Sequence, residues 1–205
     1  MITLNFLITS LIVVLIPGTG VVFTVSAGLT QGRRASVFAA LGCTAGILPH
    51  LAATVLGLSA VMHTSALAFE LLKYAGVAYL FYLAFATWRD TSVFAVDDKA
   101  PRNASARSLV TKAFLLNILN PKLTIFFLAF LPQFVAPDSA APLLHLLLLS
   151  GVFMAMTFGV FVVYGVLANA FRKAVIESAR VQAWLRRSFA AAFAGLGVNL
   201  ALSER

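Results

Sequence analysis

Charge is missing from most of this chain, and where it is missing decides what the chain can fold into. Residues 1–32 contain no Asp, Glu, Lys or Arg; nor do 35–69, 74–88 or 188–203, and 123–171 hold only Asp138. A helix that crosses a bilayer needs about 20 mainly apolar residues, and the longer windows supply that. With 61% hydrophobic and 11% charged residues and a mean hydropathy of +0.97, the composition lies far from the roughly half apolar, quarter charged make-up of soluble domains. It excludes disorder, collagen and a disulfide-stapled secreted domain. The lone Cys43 can form neither an internal disulfide nor a CxxC pair. Long unbroken apolar runs, in place of ten-residue alternating segments, exclude a membrane β-barrel.

The pattern predicts an all-α integral membrane protein with six spans, at about 4–30, 35–60, 68–88, 112–132, 142–170 and 184–203. The last is short and relies on Arg186 and Arg187 reaching back to the headgroups. No basic residue precedes Arg33, so the N-terminus does not read as a cleaved signal peptide. The net charge of +8 has a topological meaning. Twelve Lys and Arg (33, 34, 89, 99, 102, 107, 112, 172, 173, 180, 186 and 187) fall on one side of these spans, against Lys73 and Arg205 on the other. Cationic loops stay cytoplasmic, so both termini are expected in the periplasm, with Trp88 and Trp184 at the cytoplasmic interface. The basic residues meet the lipid bilayer; no basic stretch has the aromatic interleaving of a nucleic-acid surface.

The polar stretch 97–111 divides the chain into a first three-helix half, 1–96, and a second, 112–205. Three spans per half means that the halves enter the membrane from opposite faces, the pattern of an inverted repeat. The first span of each is broken by proline, at Pro17-Gly18-Thr19-Gly20 and at Asn120-Pro121-Lys122. The second span of each carries small residues: Gly42, Gly46, Ala53 and Gly57 in one, Gly151, Ala155 and Gly159 in the other. Such stripes let helices approach closely and would suit a homodimer.

A proline inside a span removes one donor and frees the carbonyl a turn earlier. Lipid cannot satisfy that carbonyl, so breaks persist where protein or a water-filled cavity surrounds them. Two matched breaks point to a binding site between them, lined by Pro17, Gly18, Thr19, Asn117, Asn120, Pro121 and Lys122. Half-helix N-termini and the Lys122 ammonium suit a carboxylate. Lys122, the one Lys or Arg well inside a span, has two readings: a substrate contact, or a charge held by freed carbonyls or by Asn117 and Asn120. A free histidine changes charge near neutral pH, so His50 has two readings, a neutral hydrogen-bonded packing residue or the carrier of a coupling ion, with a proton the expected ion. Glu70 and Lys73, three residues apart at an outer helix end, read first as an exposed helix pair of little energetic weight and otherwise as a gate; Arg33 and Arg34 in a cytoplasmic turn mainly fix topology and are gate candidates as well. Phe126, Phe130 and Phe134 form a stripe read as core or lipid contact. No phosphate loop, metal cluster or nucleophile–base motif stands in the sequence, so neither cofactor nor metal is expected. Ser26 or Ser59 with His50 gives the alternative of an intramembrane enzyme, and the small-residue faces that of a membrane scaffold.

Several blocks resemble the LysE/RhtB family of amino-acid exporters. They are the Pro17-Gly18 break with Gly28, Gln31-Gly32-Arg33-Arg34 and Ala40-Leu41-Gly42; Lys73-Tyr74-Ala75-Gly76-Val77-Ala78-Tyr79-Leu80; and, most specifically, Phe114 through Phe134 with its Asn117-Ile118-Leu119-Asn120-Pro121-Lys122 core. The resemblance covers essentially the whole chain. It implies a small inner-membrane exporter of amino acids or related metabolites, driven by an ion gradient. The family's usual Pro-Gly-Pro is Pro17-Gly18-Thr19 here, and its frequent Asp in the second span is replaced by His50.

Overall fold

The computed structural model describes residues 2–62, 66–89, 104–135, 139, 141–171 and 178–202. Helix α1 (Leu4–Leu15) starts on the hydroxyl of Thr3, which accepts from the Phe6 amide at 3.2 Å. It stops where Pro17 forces the preceding Ile16 into extended backbone (φ −64°, ψ 115°). Helix α2 (Thr19–Gln31) follows at a bend of 56°. One residue, Gly32, joins it to α3 (Arg33–Ala45). With φ at +87°, Gly32 occupies backbone space that a side chain would strain. A turn at Gly46–Ile47 leads into α4 (Leu48–Met62), and α5 (Ala66–Arg89) follows.

The second half opens with α6 (Ala106–Ile118), capped by Ser105, whose hydroxyl accepts from the Ser108 amide at 3.2 Å. That start lies upstream of the expected 112, because the cap sits in the polar stretch and Arg107 and Lys112 continue the helix. Asn120 breaks it, and Pro121 takes the first position of α7 (Pro121–Ile125), where its missing N–H costs nothing. The chain runs on through a π-helical turn, Phe126–Phe130, and a 3-10 turn, Leu131–Phe134. The bend across this break is 62°. Helices α8 (Pro142–Val166), α9 (Ala168–Phe171) and α10 (Ala179–Leu202) complete the chain.

Among the described residues, two continuous stretches, 33–57 and Pro142–Val166, are long and apolar enough to cross a membrane. Each bent pair, α1 with α2 and α6 with 122–134, brings the count to four if taken as one span. Helices α5 and α10 have 24 residues each, about 36 Å at 1.5 Å per residue, but are less apolar. They pack together with Gly197 against Leu80 and Phe81, and the Arg187 guanidinium lies 6.0 Å from the Trp88 ring centre. The described residues form a helical bundle without strands.

The core answers the phenylalanine reading in favour of packing. Phe126 stacks on Phe153 at 4.4 Å, Phe127 meets Phe153 edge-on at 5.4 Å, and the row continues through Phe130 and Phe134 to Phe6. The two small-residue stripes differ. Gly42 faces the Val110 carbonyl and Ala113, and a methyl at Gly46 would lie 2.7 Å from the Phe114 carbonyl oxygen, so α3 and α6 touch backbone to backbone. Gly57, Gly151 and Gly159 have nothing within 4 Å of where a methyl would be.

Candidate functional site

Each proline leaves one carbonyl without its helical donor: Val13 for Pro17 and Asn117 for Pro121. In both cases the other half of the chain sends a side chain to it. The Lys122 ammonium donates to the Val13 and Ile16 carbonyls, both at 2.9 Å. His50 Nε2 lies 3.0 Å from the Asn117 carbonyl oxygen, and since a carbonyl only accepts, Nε2 carries the proton. The exchange is reciprocal: a lysine of the second half serves the first break, and a histidine of the first half serves the second.

The ammonium sits well for a charge out of water. It lies at the C-terminus of α1, the negative end of that helix's dipole, and its hydrogen bonds offset part of a desolvation cost of several kcal/mol. Tyr164 on α8 adds a third contact, donating from its hydroxyl to the Leu15 carbonyl at 3.0 Å. Gly18 supplies no side-chain cap to α2. A methyl on Gly18 would lie 3.8 Å from both Lys122 Nζ and Asn120 Nδ2. One small volume is therefore bounded by an ammonium, an amide and the start of α2.

Asn120 caps its own helix, its side-chain oxygen accepting from the Lys122 amide at 3.1 Å. Its amide donates to Asn117 Oδ1 at 3.4 Å, and Asn117 donates to the Cys43 carbonyl at 2.6 Å. Asn117 is fully enclosed: a methyl on Gly20 would come within 2.9 Å of its side-chain oxygen. The two asparagines satisfy the second break, and they tie α3, α6 and α7 to one point.

The other expected site residues are placed as follows. Thr19 is exposed at the first position of α2, and Pro121 starts α7, its ring lying outside the described residues. Arg33 and Arg34 are exposed in the first turn of α3. The side chains of Glu70 and Lys73 on α5, and of Ser59, lie outside the described residues. Thr24 donates to the Gly20 carbonyl of its own helix at 2.8 Å. The nitrogens of His50 face Asn117 and Thr124, not Ser26, which removes the Ser26–His50 dyad as an arrangement of this site. Thr124 and Tyr164 carried no signal in the sequence, since a threonine or tyrosine in an apolar span shows its worth only once its partner is known.

Two broken helices whose polar groups converge from opposite halves are the build of a membrane transporter, in which irregular backbone is kept where a substrate passes. The comparisons agree. The chain matches the LysE type translocator family over residues 11–204, and it belongs to that LysE/RhtB family of small-molecule exporters. It is 33% identical over 202 residues to an uncharacterized membrane protein of Vibrio cholerae, covering 98% of this chain and 97% of the relative. It is 34% identical over 133 residues to the homoserine/homoserine lactone efflux protein of Salmonella typhimurium, covering 65% of this chain and 64% of that one. It is 26% identical over 145 residues to the leucine efflux protein of Klebsiella pneumoniae, covering 68% and 66%. No solved structure matches. The protein is a multi-pass secondary transporter of the bacterial inner membrane that exports amino acids or related small metabolites; it is an exporter and not an enzyme.

Proposed function

We propose that the substrate binds between the two breaks, with its carboxylate at Lys122 and the uncapped start of α2. The observation that carries this is the Lys122 ammonium held at 2.9 Å by two carbonyls of the opposite half. Of its three N–H donors, two go to Val13 and Ile16, and the third is assigned to the substrate. The names of the homoserine and leucine efflux relatives favour an amino acid, a class that carries such a carboxylate.

In this reading the chain has six spans in two inverted halves, with both termini periplasmic, and the halves rock about the site to give alternating access. The 24-residue lengths of α5 and α10 and the one-sided lysine and arginine count support it. Asn117 and Asn120 keep the second break in register; Pro17, Pro121, Gly18 and Thr19 shape the cavity. Arg33 and Arg34 gate the cytoplasmic side, Glu70 and Lys73 the periplasmic side, and His50 takes the coupling proton. The open face of Gly151, Ala155 and Gly159 is where a homodimer would form. The test is counterflow in proteoliposomes with an amino-acid panel, wild type against Lys122→Ala. Counterflow by the wild type, lost in the variant, is expected. Wild-type counterflow in the variant would remove Lys122 from the mechanism.

A further inference from the structure

Helices α5 and α10 run antiparallel against one another, with Phe81 beside Gly197 and Trp88 beside Arg187. One end of this pair gathers the groups that suit a bilayer interface. Arg89 stands in the last turn of α5 and Arg187 in the third turn of α10, and both are exposed. The Arg187 guanidinium lies 6.0 Å from the Trp88 ring centre, and that of Arg89 lies 5.3 Å from the ring centre of Phe85. A guanidinium laid on an aromatic face keeps the N–H groups of its edge for an acceptor. Neither arginine has a hydrogen bond or an ion pair among the described residues. Phe81, Phe85 and Trp88 share one face of α5, and all three are exposed. Trp184, also exposed, stands one turn from Arg187. We infer that this seam binds an anionic glycerophospholipid, its phosphate between Arg89 and Arg187 and its acyl chains along the Phe81–Phe85 face.

Charge decides the class of lipid. Helix α10 carries no Asp or Glu, and the one acidic residue of α5, Glu70, stands 19 residues before Arg89. That is about 28 Å along the helix at 1.5 Å per residue. Arg180 and Arg186 lie on the same end of α10. In the sequence Asp90 follows Arg89 and Glu177 precedes α10, and both lie outside the described residues. Four arginines against these two acids leave the end cationic. A zwitterionic headgroup brings a cation of its own, which the arginines repel; an anionic one brings the phosphate without it. Indoles sit at headgroup level, and the exposed phenylalanines continue from there toward the depth of the acyl chains. A soluble phosphate would meet the guanidiniums but make no use of that apolar face. A single phosphate on both arginines would also tie the third long helix of the first half to the last helix of the second.

This site stands apart from the export reading, and the six-span reading sets only its leaflet, the cytoplasmic one. Trp88 and Trp184 are the two tryptophans of the chain, so its tryptophan fluorescence is read from this seam. Full-length protein is reconstituted in mixed vesicles of phosphatidylglycerol and phosphatidylcholine, with bromine on the acyl chains of one lipid or the other. Bromine quenches the indoles that it reaches, and the two mixtures give the relative affinity of the lipids. Wild-type protein is expected to prefer phosphatidylglycerol by about fivefold or more, the worth of roughly one arginine at an anionic surface. Arg89→Gln with Arg187→Gln is expected to abolish the preference. Arg107→Gln with Lys112→Gln, which removes as much charge from α6, is expected to keep it. Equal quenching by the two lipids in the wild type overturns the inference. So does a preference that survives the double arginine substitution, or one lost equally in the α6 variant, which would trace it to overall surface charge. Tryptophans shielded from both lipids would place a second copy of the chain on the seam and overturn it too. If the double arginine variant does not insert, Arg187→Gln alone is measured, and an undiminished preference there overturns the inference.

Discussion

The two proline breaks pose the same chemical problem and solve it differently. At the second, Asn120 caps the new helix from within the break, and the Asn117 carbonyl also accepts from the Asn120 amide at 3.1 Å besides meeting His50. At the first, Gly18 offers no cap, and the carbonyls of Val13, Leu15 and Ile16 are met by Lys122 and Tyr164, both from the other half. One break is largely self-sufficient; the other borrows its polar partners. A borrowed partner can be withdrawn. A carboxylate that attracts Lys122 competes with the end of α1 for the same ammonium, so the first break is where binding and helix geometry are expected to be linked.

The sharpest way to break this contrast is Lys122→Ala. Efflux from cells is expected to fall at least about 100-fold, a loss of about 2.7 kcal/mol in transition-state terms, with the protein still found in the membrane. An undiminished rate would mean that the first break needs no borrowed charge. Next comes the contrast between the two glycine stripes. Gly42→Val drives a side chain into the Val110 carbonyl and should cost about 1–3 kcal/mol of stability as overpacking, read as a lower unfolding temperature in detergent. Gly159→Val should leave that temperature unchanged, and an equal drop there would indicate a neighbour that the single chain does not supply. Asn120→Ala removes the cap of the self-sufficient break, for about 1 kcal/mol, and Asn120→Asp should recover most of it. The smallest effect is expected from Tyr164→Phe, about 0.6 kcal/mol, the usual worth of one hydrogen bond between membrane helices. A loss from Tyr164→Phe as large as that from Lys122→Ala would move the weight of the first break from the lysine to the tyrosine.

Much of this was legible from residue order. Charge-free windows mark the long helices, Pro17 and Pro121 mark the breaks, and Lys122 stands out because a lone cation in an apolar run has to be explained. The turn at Gly46–Ile47 was not read, although Pro49 three residues on is a local signal for it. The π-helical turn after Ile125 has no signature in a run of Phe, Leu and Ala. Matching stripes in the two halves suggested matching packing, and Gly42 and Gly46 are in close contact while Gly151 and Gly159 are not, since a stripe says that close approach is permitted and not what approaches. The partners of Lys122 and His50 lay beyond reach for the same reason. Both readings of Lys122 start from an unmet charge, and only the arrangement of the halves shows which carbonyls meet it.

The borrowed cap also has a consequence for how the protein is made. Lys122 lies 109 residues after Val13, and Tyr164 lies 149 after Leu15. At about 5–20 residues per second of synthesis, roughly 5–20 seconds separate the appearance of the orphan carbonyls from that of their lysine. Lipid has no donor to lend in the meantime. The first half of the chain therefore emerges as an unfinished object that has to stay near water or the insertion machinery until the second half arrives. The later half of the chain acts, in effect, as the folding partner of the earlier one.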